Sequence, residues 1–296
     1  MATLRELKTR IGSVTSSEKI TGAMKMISSA KVHKSQQALQ QLLPFKNQIR
    51  QIMGHILSSG VEFHSPLIEE REVKRVGVVV FGSDDGLCGA YNLNIFKHLL
   101  VELNALRQQY GEDVELTVYP VGSKIVKPCL SLKGGNTDVR LLPGIDSKME
   151  GKRVNDFTEM LRHEFSSGSL DLVKVVYMQF HSIARQRLAV DVLFPVSAAT
   201  LLEQESGEGN DDRLYLFEPD PNSIFNELLP MMVQSTMNEI TIENRASEQA
   251  ARVMAMQSAN DNAKKLQEEL QLEYNKLRQQ SITTELLDIL GGQVER

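Results

Sequence analysis

The sequence predicts an α/β protein in which the two ends of the chain pair as a long antiparallel coiled coil and carry a Rossmann-like α/β domain. Three observations lead to this reading. Ile240–Leu290 has no proline and no glycine before Gly291–Gly292, so about 50 residues can run as one helix of roughly 75 Å at ~1.5 Å rise per residue. At the other end, Leu4, Leu7, Ile11 and Val14 recur at the 3–4 spacing of a coiled-coil seam. Between the ends, β-branched runs alternate with helical stretches, the pattern of an α/β layer with a mostly parallel sheet.

In chain order, Thr3 and Glu6 make a T-x-x-E capping box that starts a helix at once. Apolar positions continue through Ile20, Met24, Ile27, Leu39, Leu42, Ile49, Ile52 and Ile56, with a change of phase and a kink or short break expected at Pro44. Arg75–Phe81 reads as a first strand, Val114–Gly122 as a second, Leu172–Phe180 as a third and Arg187–Val196 as a fourth. The fourth follows the third after a short turn, so the two should be antiparallel. Helices are expected from about Leu93 to Gln109 and through Phe165, the latter started by Asp156 with Glu159. Glu203–Arg213 has loop composition, and Asp220 with Pro221 forms an N-cap and first position for the next helix. Pro230 should bend that helix before the long rod begins. Ala251, Ala255, Ala259 and Ala263 give a small-residue ridge, which lets a partner helix approach toward the low end of the ~8–10 Å interaxial range. The expected domains are therefore 1–57 with 221–296 as the shaft, 70–200 as the α/β foot and 201–220 as a linker.

Composition limits the functional classes. The 296 residues are 41% hydrophobic, enough for a full core, and no run of ~18 apolar residues spans a membrane. MATLRELKTR enters a helical pattern directly and carries Glu6, unlike a signal or transit peptide, so a cytoplasmic location is expected. Cys88 and Cys129 lie far apart with no ligand spacing, which argues against a zinc site or disulfide framework. The net charge of −5 is uneven: residues 1–57 carry nine bases against Glu6 and Glu18. A basic arm on an acidic body suits either a polyanionic partner or a solvated helix face.

The motif GSDDGLCG (Gly82–Gly89) sits after a strand and before a helix, where open α/β sheets bind phosphates. It lacks the Lys-Ser/Thr ending of a P-loop and the dinucleotide glycine spacing. Asp84 and Asp85 would also repel a pyrophosphate, so a turn needing glycine conformations is the favoured reading. The six histidines are scattered without metal spacing. Arg278, Gln279, Thr283 and Glu285 interrupt the apolar pattern of Leu277, Ile282, Leu286 and Leu290. They suit a solvated face or a directional contact to a partner.

Several stretches together resemble the gamma subunit of F-type ATP synthases: LKTRIGSVTSSEKITGAMKMISSAK, DGLCGAYN, EPDP, SEQAARVMAMQSANDNA and YNKLRQQSITTELLDILGG. The resemblance covers essentially the whole chain. It implies a non-catalytic central rotor shaft, without cofactor or metal, that carries torque between a proton-driven membrane ring and a hexamer of alpha and beta subunits. By motif match, Arg278, Gln279, Thr283 and Glu285 fall where the family contacts a loop of a beta subunit. Met24 and Lys25 fall where it faces an acidic segment of beta. Leu214, Tyr215, Leu216 and Phe217 would face the epsilon subunit and the membrane ring. The implied location is the cytoplasmic side of the inner membrane, peripheral, with no direct insertion and no nucleic-acid partner. Asp85 departs from the family loop, which carries Arg or Lys there. The absence of a cysteine-bearing insertion and of a presequence points to a bacterial chain. A nucleotide-binding enzyme and a basic coiled-coil polyanion binder are the competing classes.

Overall fold

A computed structural model describes residues 3–58, 63–197 and 216–294. Its elements in order are α1 (Leu4–Ser58), β1 (Arg75–Phe81), α2 (Tyr91–Tyr110), β2 (Glu115–Val121), α3 (Ser123–Leu130), β3 (Thr137–Val139), α4 (Lys152–Ser166), β4 (Leu172–Phe180), β5 (Gln186–Phe194) and α5 (Pro221–Val294). They form two compact units, Met1–Ser29 with Arg252–Arg296, and Ala30–Ala251.

The terminal helices begin as their sequences require. The Thr3 amide donates to Glu6 Oε2 at 2.8 Å and the Glu6 amide to Thr3 Oγ1 at 3.3 Å, the reciprocal bonds of a capping box. Asp220 accepts from the Ser223 amide at 2.9 Å and from its hydroxyl at 2.6 Å, so it caps α5 with Pro221 at the first position. Neither proline ends its helix. Pro44 lies inside the 55-residue α1, and Pro230 lies inside the 74-residue α5. α5 also runs through Gly291–Gly292 instead of stopping there. Each proline forfeits one backbone bond, and the packed neighbours Leu229 and Met232 hold the helix around Pro230.

The stripe on α1 shows no change of phase. Less exposed positions recur at Leu4, Leu7, Ile11, Val14, Glu18, Thr21, Lys25, Ser28, Val32, Ser35, Leu39, Leu42, Lys46, Ile49, Met53 and Ile56, alternating three and four apart, with Thr15, Gly22, Met24, Ala38, Leu43, Arg50, Gly54, His55 and Leu57 also covered beside them. That is a sustained 3.5-residue period, the signature of a left-handed coiled coil. Its middle is polar or small, so hydrophobicity alone misses it. On α5, Val253, Met256, Asn260, Ala263, Gln267, Leu270, Tyr274, Leu277 and Ser281 repeat the same spacing. In the smaller unit the Asn260 amide donates to the Glu18 carbonyl at 2.7 Å. Buried Leu7 precedes Glu18 by about the interval at which buried Leu270 follows Asn260, as an antiparallel register demands. Continuing this register, Leu4 falls beside about residue 274, and the described part of α1 does not reach the last ~20 residues of α5, roughly 30 Å.

In the larger unit the sheet order is β3-β2-β1-β4-β5. β1 pairs parallel with β2 and β4, β2 parallel with β3, and β5 antiparallel with β4. Alternating side chains serve two cores. Val76, Val78 and Val80 join Ile95, Leu99 and Leu103 of α2 on one face. Val79 and Phe81 join Phe157 and Leu161 of α4, Ile49 and Met53 of α1, and Phe225 and Leu229 of α5 on the other. Two elements escaped the sequence reading, the short helix α3 and the three-residue β3, because neither is long enough to show a period. α4 starts at Lys152, so Asp156 and Glu159 lie within it and its N-cap is Gly151.

Candidate functional site

Where an α/β sheet changes direction, its strand ends leave a crevice for a ligand. Here β1, β2 and β3 proceed one way and β4 returns to the other side of β1, so the crevice opens between the C-terminal ends of β1 and β4. Asn244 of α5, 1% exposed, fills it. Its Nδ2 donates to the Gly82 carbonyl at 3.2 Å. Its Oδ1 accepts from the Tyr91 hydroxyl at 2.7 Å and the Met178 amide at 3.4 Å. The phosphate position of the fold is thus occupied by the protein's own helix.

The Gly82–Gly89 loop is built to close this junction. A Cβ on Gly82 would stand 2.7 Å from Cβ of Ile125, so the glycine is needed for close approach of β1 to α3. Gly89 takes φ 61°, the left-handed conformation expected of glycine there, while Leu87 adopts φ 62° without being one. Ser83 and Asn92 exchange hydrogen bonds, the Ser83 amide to Asn92 Oδ1 at 3.0 Å and Asn92 Nδ2 to Ser83 Oγ at 2.8 Å. The Asp84 carboxylate accepts from the Ser123 amide at 2.8 Å and from the Ser147 amide and hydroxyl at 2.9 and 2.8 Å. Asp85 pairs with Lys148 at 3.0 Å. Both acids therefore tie loops together. Among the described residues no group of three His, Cys, Asp or Glu side chains is placed to hold a metal. Cys88 and Cys129 are both buried thiols, and burial pushes the Cys129 thiol up to about 12.

A charged cluster joins β4 and β5 to the two long helices. Lys46 of α1 donates to Glu239 of α5. The Tyr177 hydroxyl donates to Asp191 at 2.9 Å. Glu243, 8% exposed, lies where burial first, then the charges of Glu239 and Asp191, push its carboxyl up to about 7, with Lys46 pulling the other way. Burial, followed by Asp191 and Glu243, likewise raises the Tyr177 hydroxyl.

The residues singled out from sequence fall into three places. Arg278, Gln279, Thr283 and Glu285 are exposed on the overhanging end of α5. Thr283 Oγ1 donates to the Gln279 carbonyl at 2.9 Å and Ser281 Oγ to Glu285 at 3.4 Å, bonds within the same helix. Met24 and Lys25 are half-buried on α1, with Lys25 on the 3–4 stripe. Leu214 and Tyr215 lie outside the described residues. Leu216 is 87% exposed, and Phe217 packs partly against the core.

Exposed apolar side chains surround these positions. Ile282, Leu286, Leu287, Ile289 and Leu290 are 48–64% exposed on α5, and Ile20, Met26 and Ile27 are 58–69% exposed on α1. Their type was visible in the sequence, but whether each faced the seam depended on the phase of the stripe.

Comparison with known proteins places these features in context. A family model described as ATP synthase matches residues 3–294. The chain is 41% identical to the ATP synthase gamma chain of Phocaeicola vulgatus, with 99% of each chain covered. It is 36% identical to that of Bacteroides thetaiotaomicron, with 100% of each covered. Among solved structures, a chain of the mitochondrial ATP synthase of Euglena gracilis, in its OSCP/F1/c-ring assembly, superposes with a TM-score of 0.61 at 18% identity, covering 98% of this chain and 93% of that one. A chain of the rotor of the same enzyme gives 0.60 at 19% identity, covering 94% and 98%.

Proposed function

Because the chain belongs to the ATP synthase gamma chain family, we propose that it is the central-stalk rotor subunit, transmitting torque between a membrane proton-driven ring and a catalytic alpha/beta hexamer. The observation that carries this reading is the pair of terminal helices, 55 and 74 residues long with an unbroken 3–4 stripe, one overhanging the other. Torque transmission needs stiffness, and two helices packed along a common seam resist twisting far better than one. The overhang offers a ring of subunits an apolar surface with a few polar groups, the composition of a bearing that must contact several neighbours without binding any tightly.

In this proposal the helix pair is the shaft and the α/β layer is the foot, with 201–220 joining them. Arg278, Gln279, Thr283 and Glu285 contact the beta subunit, and Met24 with Lys25 meets an acidic segment of it. Leu216 and Phe217, with Leu214 and Tyr215, approach the epsilon subunit and the membrane ring. The chain itself performs no catalysis, and the self-filled crevice at Asn244 supports that. It lies peripherally at the cytoplasmic face of the inner membrane. Among the described residues no helix is long and apolar enough to cross a membrane.

The test is the Arg278→Ala, Gln279→Ala double variant assembled with alpha and beta subunits. ATP turnover and its coupling to proton flow should fall while the circular dichroism of the chain is unchanged. Full turnover with normal assembly would overturn the assignment of these residues to the beta contact. Copurification of alpha and beta subunits with the unaltered chain tests the rotor reading itself.

A further inference from the structure

A cavity of about 450 Å³ lies within the larger unit, among α1, the loop leading into α4, and α5. Its wall carries Lys31, Lys34, Lys148 and Arg245 against two carboxylates, Glu150 and Glu248. The carboxylates are largely spoken for. Arg245 binds Glu150, and Arg245, with smaller help from Lys34 and Arg153, holds the Glu150 carboxyl below its usual range. Glu248, 2% exposed, accepts from Gln249 at 3.4 Å and from the Ser147 hydroxyl at 3.5 Å. Lys148 is shared with Asp85. Lys31 and Lys34 form no salt bridge among the described residues.

Two further features add positive potential. The 15-residue α4 opens at Gly151, which lines the cavity; its N-cap makes no side-chain bond, and its first turn holds Lys152 and Arg153, the latter paired with Asp146 at 3.1 Å. The backbone amides of a helix N-terminus favour an anion, and Glu150, just before the N-cap, is held by Arg245. Arg245 also keeps a buried Nε with no hydrogen-bond partner, although its other nitrogens serve Glu150 and the Met149 carbonyl. The volume exceeds that of a single phosphate and falls in the ~300–1,000 Å³ range of small-molecule sites. Ala38 and Ile242 supply an apolar part of the wall.

We propose that this cavity binds a phosphorylated small molecule, its phosphate held by Lys31, Lys34 and Arg245 at the start of α4 and its remaining part against Ala38 and Ile242. Such a ligand bridges α1, the α4 loop and α5, and so links the helix pair to the α/β layer. The proposal does not depend on the rotor reading, since it concerns the chain alone and a cavity distinct from the crevice that Asn244 fills.

The test is calorimetric titration of the isolated full chain at low salt with inorganic phosphate, pyrophosphate and ADP, and with sulfate as the control anion. Saturable binding of pyrophosphate or ADP, at least tenfold tighter than sulfate, is expected. The Lys31→Gln, Lys34→Gln double variant alters exposed side chains and should keep its circular dichroism while losing tenfold or more in affinity. Glu150→Gln releases Arg245 from its internal partner and should bind more tightly than the unaltered chain. If ADP binds no better than phosphate, the site is one for a free phosphate group and the apolar part of the proposal is wrong. Absence of saturable binding, equal binding of sulfate, or an unaffected lysine variant would overturn it.

Discussion

Asn244, on the longest helix of the protein, donates a hydrogen bond to the carbonyl of Gly82, at the end of the first strand, across 162 positions of sequence. With the bonds from Tyr91 and Met178 it gives one buried amide three partners. Replacing it by leucine removes all three and buries apolar volume against polar atoms. At ~1 kcal/mol per bond, and more where a buried group is left unpaired, Asn244→Leu should lower the unfolding free energy by about 2–4 kcal/mol in urea denaturation.

Gly82 itself is limited by space. With Ile125 Cβ only 2.7 Å from where an alanine Cβ would stand, Gly82→Ala should cost about 1–3 kcal/mol as overpacking. The opposing atom is Ile125 Cβ itself, placed by its own backbone, so no rotamer change relieves the contact. Ile125→Ala keeps that atom and should rescue little, whereas the Gly82→Ala, Ile125→Gly pair removes it and should be less destabilised than the sum of its single variants, which a double-mutant cycle in urea would measure.

Glu243 makes the stability of the larger unit depend on pH. Its folded carboxyl titrates at about 7, above the ~4.3 of a free glutamate. Between those values the folded state holds a proton that the unfolded state has released, so stability falls as pH rises, and the full penalty is present above pH 7. Glu243→Gln keeps the neutral form at every pH. It should gain roughly 1–2 kcal/mol over the unaltered chain at pH 8, after allowance for partial solvent screening. At pH 4 the two should be nearly equal, and thermal unfolding at both values reads the difference.

In the smaller unit Gly22 faces Asn260, whose Nδ2 would lie 3.5 Å from an added Cβ. That is ordinary contact, so Gly22→Ala should fit and stabilise by up to about 1 kcal/mol through helix propensity. Gly22→Leu has no such room and should lower the melting temperature by displacing the Asn260 bond to Glu18. Equal melting of both variants would show that the helices are not in close contact at this level.

Much of this architecture is legible in local sequence. The capping box at Thr3 and Glu6, the Asp220–Pro221 start of α5, the four longer strands and the antiparallel turn between β4 and β5 follow from residue types and periods that act over a few positions. So does the idea of two rods at the chain ends. The polar residues of the α5 overhang were also visible, since they break an apolar pattern.

Tertiary structure decided what local signals could not. The stripe on α1 continues through Glu18, Thr21, Lys25 and Ser28, because a neighbouring helix, and not hydrophobicity, sets which side is covered. Pro44 and Pro230 stay within helices, since packing along a long helix outweighs the local cost of a lost hydrogen bond. Asn244 reaches the sheet crevice, and Glu243 gains its raised pKa, only when distant segments meet. Local propensity acts through neighbours in sequence, whereas burial, register and electrostatics depend on neighbours in space.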